Sequence, residues 1–305
     1  MSPREPTRPE DAPSDANTVS ITTNLSSLVA GGPVLAVDLD DVLCQTNSAI
    51  SKWHNDNYGT PDEINLSNFY YYYYWKNPFW GSPSVTHGKV REFYQTGWIE
   101  HVPLVSGAKE GVEALRRMGY RLIIVTARNK EVEHASWKWV NRHFGDLFEC
   151  IICTGQFANA QKAVSDGTYK HFVANNGHAV ATRLSKAQVC MDIGAKLLID
   201  DSVENAMACM RHTAESGGGV APPHVLLFGS YEWNKRLSQH SEEQDDMVYA
   251  KRIEVEGDNR FLERDVIHCE EELRKVNSPK VRVKRVQDWN EVVAHVEAER
   301  AAGRL

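Results

Sequence analysis

The chain has 305 residues, 42% of them hydrophobic and 25% charged, a composition typical of a soluble globular protein with enough apolar material for one or two cores. Its formal net charge is −7, from 34 basic and 41 acidic residues, so no overall positive field recruits nucleic acid or an anionic membrane. No apolar run approaches a membrane span, and the six cysteines stand scattered in apolar contexts, which predicts reduced thiols in the cytoplasm, or alternatively the nucleus.

The first 28 residues are rich in Pro, Ser, Thr, Asp and Asn and have neither a helical nor a strand period. We therefore expect residues 1–28 to form a disordered tail. The tail lacks the apolar core of a secretion signal, and its acidic residues argue against a mitochondrial presequence.

A short apolar run, Val34–Val37, leads directly into three carboxylates, Asp38, Asp40 and Asp41. Such a run before turn-forming acids predicts a buried parallel strand, whose carboxyl end faces the crevice where α/β sheets bind ligands. Three acids at that point repel one another unless a cation lies among them, which favours a metal site with a nucleophilic carboxylate. The alternative from this stretch alone is an ordinary acidic turn.

Residues 61–104 are dominated by aromatic side chains, including five consecutive tyrosines from Tyr70 to Tyr74. Consecutive aromatics cannot all point inward, whether in a helix or a strand, so some are exposed or contact a ligand. Flat aromatic faces suit a nucleobase, whose stacking is worth roughly 1–3 kcal/mol. The candidates for base stacking are Phe69, Tyr72, Trp75 and Trp80. The alternative is that these rings form the packed core of a small cap.

Two later apolar runs also end at polar side chains. These are Arg121–Val125, which ends at Thr126, Ala127 and Arg128, and Lys196–Ile199, which ends at Asp200 and Asp201. Because parallel strands end at the same edge of a sheet, we expect all three strand ends to share one rim.

Lys186 begins a helix that Ser185 is expected to cap. A cation at a helix start is unfavourable unless an anion lies near, and a phosphate would supply one. The alternative is a solvated surface lysine, and Lys162 is the second candidate for a phosphate-binding lysine.

The remaining pattern predicts mostly helices and strands in alternation. Helices are expected from Thr46 or Asn47 to about Tyr58, over Ser106–Met118, from Asn129 to about Phe144, after Ser202, and along Trp289, Val292, Val293 and Val296. Further strands are expected over 147–153, 224–228 and 281–286. Residues 155–182 are predicted to be a long loop, and Cys150-Ile-Ile-Cys153 a strand with two structural thiols on opposite faces.

In chain order the candidate residues are Asp38-Leu-Asp40, Thr126, then Lys186 shortly before the third strand, and Asp200-Asp201. This ordered set resembles the four motifs of the haloacid dehalogenase superfamily of phosphotransferases. Within that superfamily, Leu198–Ser202 and Gly229–Asn234 look closest to the phosphatases that include the 5'-nucleotidases and deoxyribonucleotidases. The resemblance covers about residues 33–234 and 281–296.

The resemblance implies an α/β, Rossmann-like three-layer sandwich with a central parallel sheet and a small cap inserted after the first strand. The core would comprise residues 29–60 and 105–305, and the cap residues 61–104. A strongly charged stretch at about 236–280 is expected to be an insertion with a solvated, partly helical face.

The resemblance also implies a chemistry: Mg²⁺-dependent hydrolysis of a phosphomonoester, in particular a nucleoside monophosphate, through an aspartyl-phosphate. Asp38 would be the nucleophile and Asp40 the proton donor and acceptor. Mg²⁺ would be held by Asp38, the main-chain carbonyl of Asp40, and Asp201 or Asp200. The phosphoryl oxygens would be bound by Thr126, Ala127 and Lys186, with Arg128 assisting.

One residue departs from this pattern, because many nucleotidases of this kind have glycine where the chain has Asp41. Two alternatives remain open at this point. The enzyme could act on a sugar phosphate or a nucleic-acid end, or the fold could serve as a non-enzymatic binding module with the charged insertion contacting a partner.

Overall fold

The computed structural model describes residues 32–155, 172–173, 179–181, 184–215, 222–238, 248–276 and 282–305. The predicted disordered tail and Lys162 lie outside these residues, so both stay predictions. None of the described helices combines the length and the apolar character that crossing a membrane requires.

A sheet of eight described strands forms the centre of the fold, in the order β4-β5-β3-β2-β1-β6-β7-β8. The strands are β1 (Val34–Val37), β2 (Arg121–Thr126), β3 (Ile151–Cys153), β4 (Phe172–Val173), β5 (Ala179–Ala181), β6 (Ala195–Asp200), β7 (His224–Phe228) and β8 (Val283–Val286). All neighbouring strands are parallel except β4 and β5, which are antiparallel. The interior position of β1, between β2 and β6, explains why its residues are all apolar.

Helices cover both faces of this sheet. They are α1 (Thr46–Tyr58), α2 (Pro83–Gln95), α3 (Ala108–Arg117), α4 (Glu133–Phe144), α5 (Lys186–Asp192), α6 (Val203–Glu215), α7 (Tyr249–Glu256), α8 (Phe261–Val276) and α9 (Trp289–Ala301). Alternate residues of β1 point to opposite faces of the sheet. Leu35 and Val37 pack in the cluster formed with α1, α3, α4 and α9. Val34 and Ala36 pack in the cluster formed with α5 and α6. The three-layer α/β sandwich predicted from the sequence is therefore confirmed.

Most predicted elements are found within a few residues of their expected bounds, and three expectations are wrong in detail. Residues 155–182 are not simply a loop, because they contribute the short strands β4 and β5. The strand expected from residue 147 begins only at Ile151. The residue before α1 is Gln45, so neither Thr46 nor Asn47 is its N-cap.

The cysteine and C-terminal predictions are confirmed. Cys150 and Cys153 are free, buried, and belong to clusters on opposite faces of the sheet. In α9, Trp289 packs so closely on α3 that a Cβ at Gly111 would lie 2.4 Å from its ring. The same indole donates a hydrogen bond of 2.9 Å to the main-chain oxygen of Val42, in the loop that follows β1.

The aromatic segment shares its core with the rest of the molecule. Phe69, Trp80 and Phe93 are fully buried in the cluster that also contains Leu35 and Val37. The division into a core and a cap at residues 61–104 therefore stays a prediction.

The charged stretch is only partly solvated. Its helix α7 has no buried residue, as expected. In contrast, α8 buries five residues, because one side of it packs against α6, β7 and the aromatic segment. These residues are Phe261, Leu262, Asp265, Cys269 and Leu273.

Candidate active site

The carboxyl ends of β1, β2 and β6 lie side by side, because these strands are parallel neighbours. The amide of Asp38 still donates to the carbonyl of Ile199 in β6, at 2.9 Å, so the first acid stands where the sheet pairing ends. Thr126 is the last residue of β2 and Asp200 the last of β6. The shared rim expected from the sequence is thus present in the fold.

Lys186 lies between the acids of two strands. Its Nζ is 2.6 Å from Asp38 Oδ2 and 2.8 Å from Asp200 Oδ2. The Ser185 side chain caps α5 by accepting from the amide of Gln188, as predicted, and so fixes the point from which the lysine extends. Lys186 is 1% exposed, which rules out the surface-lysine alternative. Burial lowers its pKa, but Asp200 and Asp38 raise it more, so the amine is held as a cation.

Asp200 and Asp201 have different environments although they are neighbours. Asp200 accepts from the amide of Ser202 (2.9 Å), from Asn205 Nδ2 and from Lys186, so both its oxygens have donors. Asp201 Oδ2 accepts from Trp233 Nε1 at 2.6 Å. Asp201 Oδ1 is buried and has no hydrogen-bond partner among the described residues. A buried carboxylate oxygen without a donor is costly unless a cation completes its environment.

The electrostatics of the cluster also fit a cation. One carboxylate oxygen from each of Asp38, Asp200 and Asp201 lies within 4.8 Å of the other two. Burial raises the pKa of Asp38 to about 7, Lys186 opposes this rise, and Asp200 adds to it. Burial, together with Asp38 and Asp200, raises the pKa of Asp201 well above its usual value. A metal ion among these oxygens would restore their charged forms, so the residues present could hold one.

Arg128 grips Asp40 with two nitrogens. Its Nη2 lies 2.7 Å from Asp40 Oδ1, and its Nε lies 3.1 Å from both carboxylate oxygens. Thr46 Oγ1 donates to the same carboxylate at 2.5 Å, and Thr126 Oγ1 lies 3.4 Å from Asp40 Oδ2. Burial raises the pKa of Asp40, but Arg128, joined by Thr46 and Lys186, outweighs burial and holds this pKa below its usual value. The structure thus places Arg128 on the second acid, whereas its predicted role was to grip phosphate.

Asp41 occupies a special backbone position. Its φ is +56°, in the left-handed region that glycine adopts freely and that aspartate tolerates better than most residues. Its carboxylate accepts from the amide of Asn47 at 3.1 Å and so caps the start of α1 in place of Gln45. Its carbonyl accepts from the Tyr231 hydroxyl at 2.8 Å. This conformation explains how an aspartate can stand where the resembling family often has glycine.

The acids open into a cavity of about 530 Å³. The charged part of its lining, here named the charged end, consists of Asp38, Asp40, Asp41, Asp201, Ala127 and Arg128. The part named the aromatic end comes mainly from the aromatic segment and α2, with Tyr72, Tyr74, Trp75, His87, Arg91, Tyr94 and Gln95. The two parts adjoin, because the Arg128 guanidinium lies 5.8 Å from the centre of the Tyr94 ring. A space of this size suits a small-molecule ligand with a charged and an aromatic part.

Only two of the four predicted stacking residues reach this cavity. Tyr72 and Trp75 line it, and Trp75 is stacked on Tyr73 at 4.7 Å between ring centroids. Phe69 and Trp80 are fully buried and do not line it. Their rings instead contact each other and neighbouring core aromatics, so the structure places neither of them where it could stack on a base in this cavity.

Several residues of the site were not predicted from the sequence. Trp233 follows β7 and donates to Asp201, so its strand-end position was the available signal. Thr46, the first residue of α1, reaches Asp40 across the loop that joins β1 to α1, and the sequence alone does not give the path of this loop. His87, Arg91 and Gln95 recur at intervals of four on α2, which is the one pattern that could have marked a single face of that helix.

Comparisons with known proteins found similarity among solved structures only; no protein-family model and no curated protein matches the chain. A HAD-family hydrolase from Deinococcus radiodurans, with bound phosphate and sodium, is 15% identical, with 90% of this chain and 98% of that chain covered and a TM-score of 0.43. A predicted phosphatase from Clostridium acetobutylicum is 10% identical, with 87% and 98% covered and a TM-score of 0.46. Cytosolic 5'-nucleotidase IIIB bound to cytidine is 10% identical, with 94% of each chain covered and a TM-score of 0.31.

These structures are haloacid dehalogenase hydrolases and phosphatases and a nucleotidase, the group that the sequence motifs resemble. Their TM-scores all lie below 0.5, so what the site can do is inferred from its own residues and not from these similarities. The chain is an α/β protein in which three strand ends bring Arg128 and a buried group of aspartates beside one cavity, while Lys186, at the start of α5, ion-pairs with two of these aspartates.

Proposed function

We propose that the protein is a Mg²⁺-dependent phosphatase that hydrolyses nucleoside 5'-monophosphates through an aspartyl-phosphate on Asp38. The observation that carries this proposal is the arrangement around Lys186, which ion-pairs with Asp38 and Asp200 while Asp201 keeps a buried oxygen without a donor. A cation would satisfy the buried oxygen of Asp201, and a phosphoryl group is an anion that the Lys186 amine could bind.

Asp38, Asp201 and the main-chain carbonyl of Asp40 would hold the metal ion. Of the two candidate acids after β6, Asp201 is favoured because the oxygens of Asp200 already accept from Ser202, Asn205 and Lys186. Mg²⁺ fits hard carboxylate and carbonyl oxygens, and when bound it would offset the charge of the phosphate and of the attacking carboxylate.

In the first step, a carboxylate oxygen of Asp38 attacks phosphorus while the bond to the ester oxygen breaks. Asp40 delivers a proton to the leaving oxygen, and Lys186 and Thr126 stabilise the phosphoryl oxygens. Arg128 keeps Asp40 close to the reacting group by holding both its oxygens, although Asp40 has to enter this step protonated.

In the second step, water attacks the aspartyl-phosphate and Asp40 accepts its proton. The bond between phosphorus and Asp38 breaks, which releases inorganic phosphate and restores the carboxylate. The ionised state of Asp40 that Arg128 favours is the state this step requires.

The aromatic end of the cavity supports a nucleoside as the leaving group. Trp75 offers an indole braced by Tyr73, and Tyr72 lies on the same wall. Stacking of a base on such a ring contributes roughly 1–3 kcal/mol, which a sugar phosphate could not gain.

The proposal is tested by measuring phosphate release from nucleoside 5'-monophosphates, sugar phosphates, a 5'-phosphorylated oligonucleotide and acetyl phosphate. We expect kcat/KM to be highest for the mononucleotides and activity to disappear with EDTA. A preference for sugar phosphates or nucleic-acid ends would support the proposed phosphatase reaction but refute nucleoside monophosphates as its substrate. Absence of release from every compound in the presence of Mg²⁺ would instead indicate a binding module.

A further inference from the structure

Residues 70–77, the tyrosine loop, form one wall of the cavity through Tyr72, Tyr74 and Trp75. Apart from one short helical turn, Tyr74–Lys76, the loop has no regular secondary structure. Asn77 closes it from inside: its side chain accepts from the amide of Tyr71 at 2.9 Å and donates to the carbonyls of Tyr71 and Tyr73. The position of the loop against the cavity must therefore be set by contacts outside it.

One such contact is the hydrogen bond of 2.7 Å from the Tyr74 hydroxyl to Asn47 Oδ1 of α1. A larger group of contacts comes from the α7–α8 hairpin, residues 249–276. The Tyr71 hydroxyl donates to Asp265 of α8 at 2.5 Å, and Arg252 of α7 donates to the same carboxylate at 2.6 Å. Arg252 also lies 3.1 Å from the Tyr71 hydroxyl, and its guanidinium stacks over Phe261 at 4.1 Å. Tyr71 and Asp265 are 2% and 5% exposed, so this three-residue group is shielded from water.

Two further contacts hold the loop on either side of Tyr71. The ring of Tyr70 is stacked on Tyr249 of α7, with centroids 5.8 Å apart, and Arg236 approaches the same ring. The amide of Tyr73 donates to Ser238 Oγ at 3.1 Å. The loop is thus attached at residues 70, 71 and 73 to the region that the sequence suggested was a solvated insertion.

Adjacent tyrosines in the loop have different surroundings. Tyr71 packs with Phe261 and Leu262 of the hairpin, whereas Tyr72 packs with the main core and lines the cavity. A change at Tyr71 is therefore transmitted to Tyr72 through a single peptide unit, while the strand ends that carry the acids lie on other elements.

We propose that the α7–α8 hairpin determines which leaving groups the cavity accepts, with Tyr71, Asp265 and Arg252 acting as positioning residues for the cavity wall. This proposal rests on the phosphatase function proposed above. The acids stand on other elements, and Lys186 holds Asp38 and Asp200 directly. We therefore expect loosening of the hairpin contact to weaken binding of a large leaving group much more than it lowers turnover.

The test compares Tyr71→Phe and Asp265→Asn with the wild type on a nucleoside monophosphate and on acetyl phosphate, whose leaving group is small. We expect KM for the nucleotide to rise about fivefold or more, with kcat and all constants for acetyl phosphate within about twofold. Because both changes remove the same hydrogen bond, the double variant should show less than the product of the two single effects.

Tyr120→Phe is the matched control, because it also removes a buried tyrosine hydroxyl, one without a hydrogen-bond partner in the described part of the chain. Arg260→Gln controls for charge changes on the hairpin, since Arg260 is exposed and, within the described residues, its side chain pairs with the nearby Asp258. Equal loss of kcat on both substrates, or an effect of Tyr120→Phe as large as that of Tyr71→Phe, would overturn the proposal.

Hydrogen exchange gives a readout that does not require activity. In Tyr71→Phe and Asp265→Asn, amides of residues 70–77 should exchange faster, while those of β1 and β6 keep their wild-type rates. Unchanged exchange in the loop would refute the positioning role whatever the substrate. If the amides of residues 70–77 exchange faster in these variants but the wild type releases no phosphate, the positioning role is supported and the proposed phosphatase function is refuted.

Discussion

The two ends of the cavity are built in opposite ways. At the charged end, the side chains of Asp38, Lys186 and Asp200 are each 3% exposed or less, and Lys186 holds both acids. At the aromatic end, Trp75 and His87 are only half-buried, and Arg91 and Gln95 are exposed. The charged end is therefore shielded from water and tied by ion pairs, whereas the side chains of the aromatic end are partly open to solvent.

The difference arises from the elements that carry each end. The acids stand at the ends of buried parallel strands, whose ladder hydrogen bonds fix their positions. The aromatic end is carried by the tyrosine loop and by α2, neither of which belongs to the sheet. With this division, the strand-end acids would set the rate of the reaction, and the tyrosine loop and α2 would select the substrate.

Replacing Asp38, the proposed nucleophile, should give the largest effect. Asp38→Asn is nearly isosteric, so the fold should persist, but kcat should fall by at least roughly 10³ because nucleophile and metal ligand are lost together. Steady-state kinetics and circular dichroism measure the two quantities. Asp56→Asn, on the exposed face of α1, is the control. Activity of Asp38→Asn within tenfold of wild type would contradict the assignment.

Removing the metal ligand tests whether the charged end is completed by a cation. Mg²⁺ should raise the Tm of the wild type, because binding to the folded state alone adds about 2.7 kcal/mol at a hundredfold excess over Kd. Asp201→Asn should abolish most of this rise and lower kcat. A protein whose Tm and phosphate release are both indifferent to Mg²⁺ and EDTA would refute the metal site.

The smallest effect is expected at the aromatic end, where two tryptophans can be compared. Trp75→Leu should lower kcat/KM for a nucleoside monophosphate about tenfold and leave acetyl phosphate unaffected, because only the base loses a stacking partner. Trp80→Leu should instead lower the free energy of unfolding by roughly 1–3 kcal/mol, because Trp80 is fully buried in the core.

These outcomes are read from kinetics on both substrates and from denaturant unfolding. If Trp75→Leu weakens both activities to the same extent, the aromatic end has no separate role. If neither variant discriminates between the substrates, base recognition fails and another phosphomonoester becomes the better candidate.

Local signals in the sequence were enough to predict the strand-end acids and the capped helix that carries Lys186. The apolar run of β1, the Ser185 cap and the acids after β6 each depend on neighbouring residues, and strand order then brings them together. The choice between Asp200 and Asp201 was not available from the sequence, because it depends on Trp233 and Asn205, which approach through the fold.

The aromatic end could not be predicted in the same way. Consecutive aromatics carry no period, so nothing local separates the buried Phe69 from the cavity-lining Trp75. The contact between Tyr71 and Asp265 joins residues 194 positions apart. Strands as short as β4 and β5 are similarly beyond reach, because two or three residues show no alternation.

The hydrogen bond from Trp289 to Val42 has a consequence for protein synthesis. It joins the loop after β1 to a residue made 247 positions later. Chains emerge from the ribosome N-terminus first, so the acid loop is translated long before the indole that supports it. A nascent chain would therefore carry all its acids without a finished catalytic loop, and contacts of such long range form slowly. Enzymatic activity should consequently appear only after translation has passed α9, and fragments ending before it should be inactive even when they contain every predicted catalytic residue.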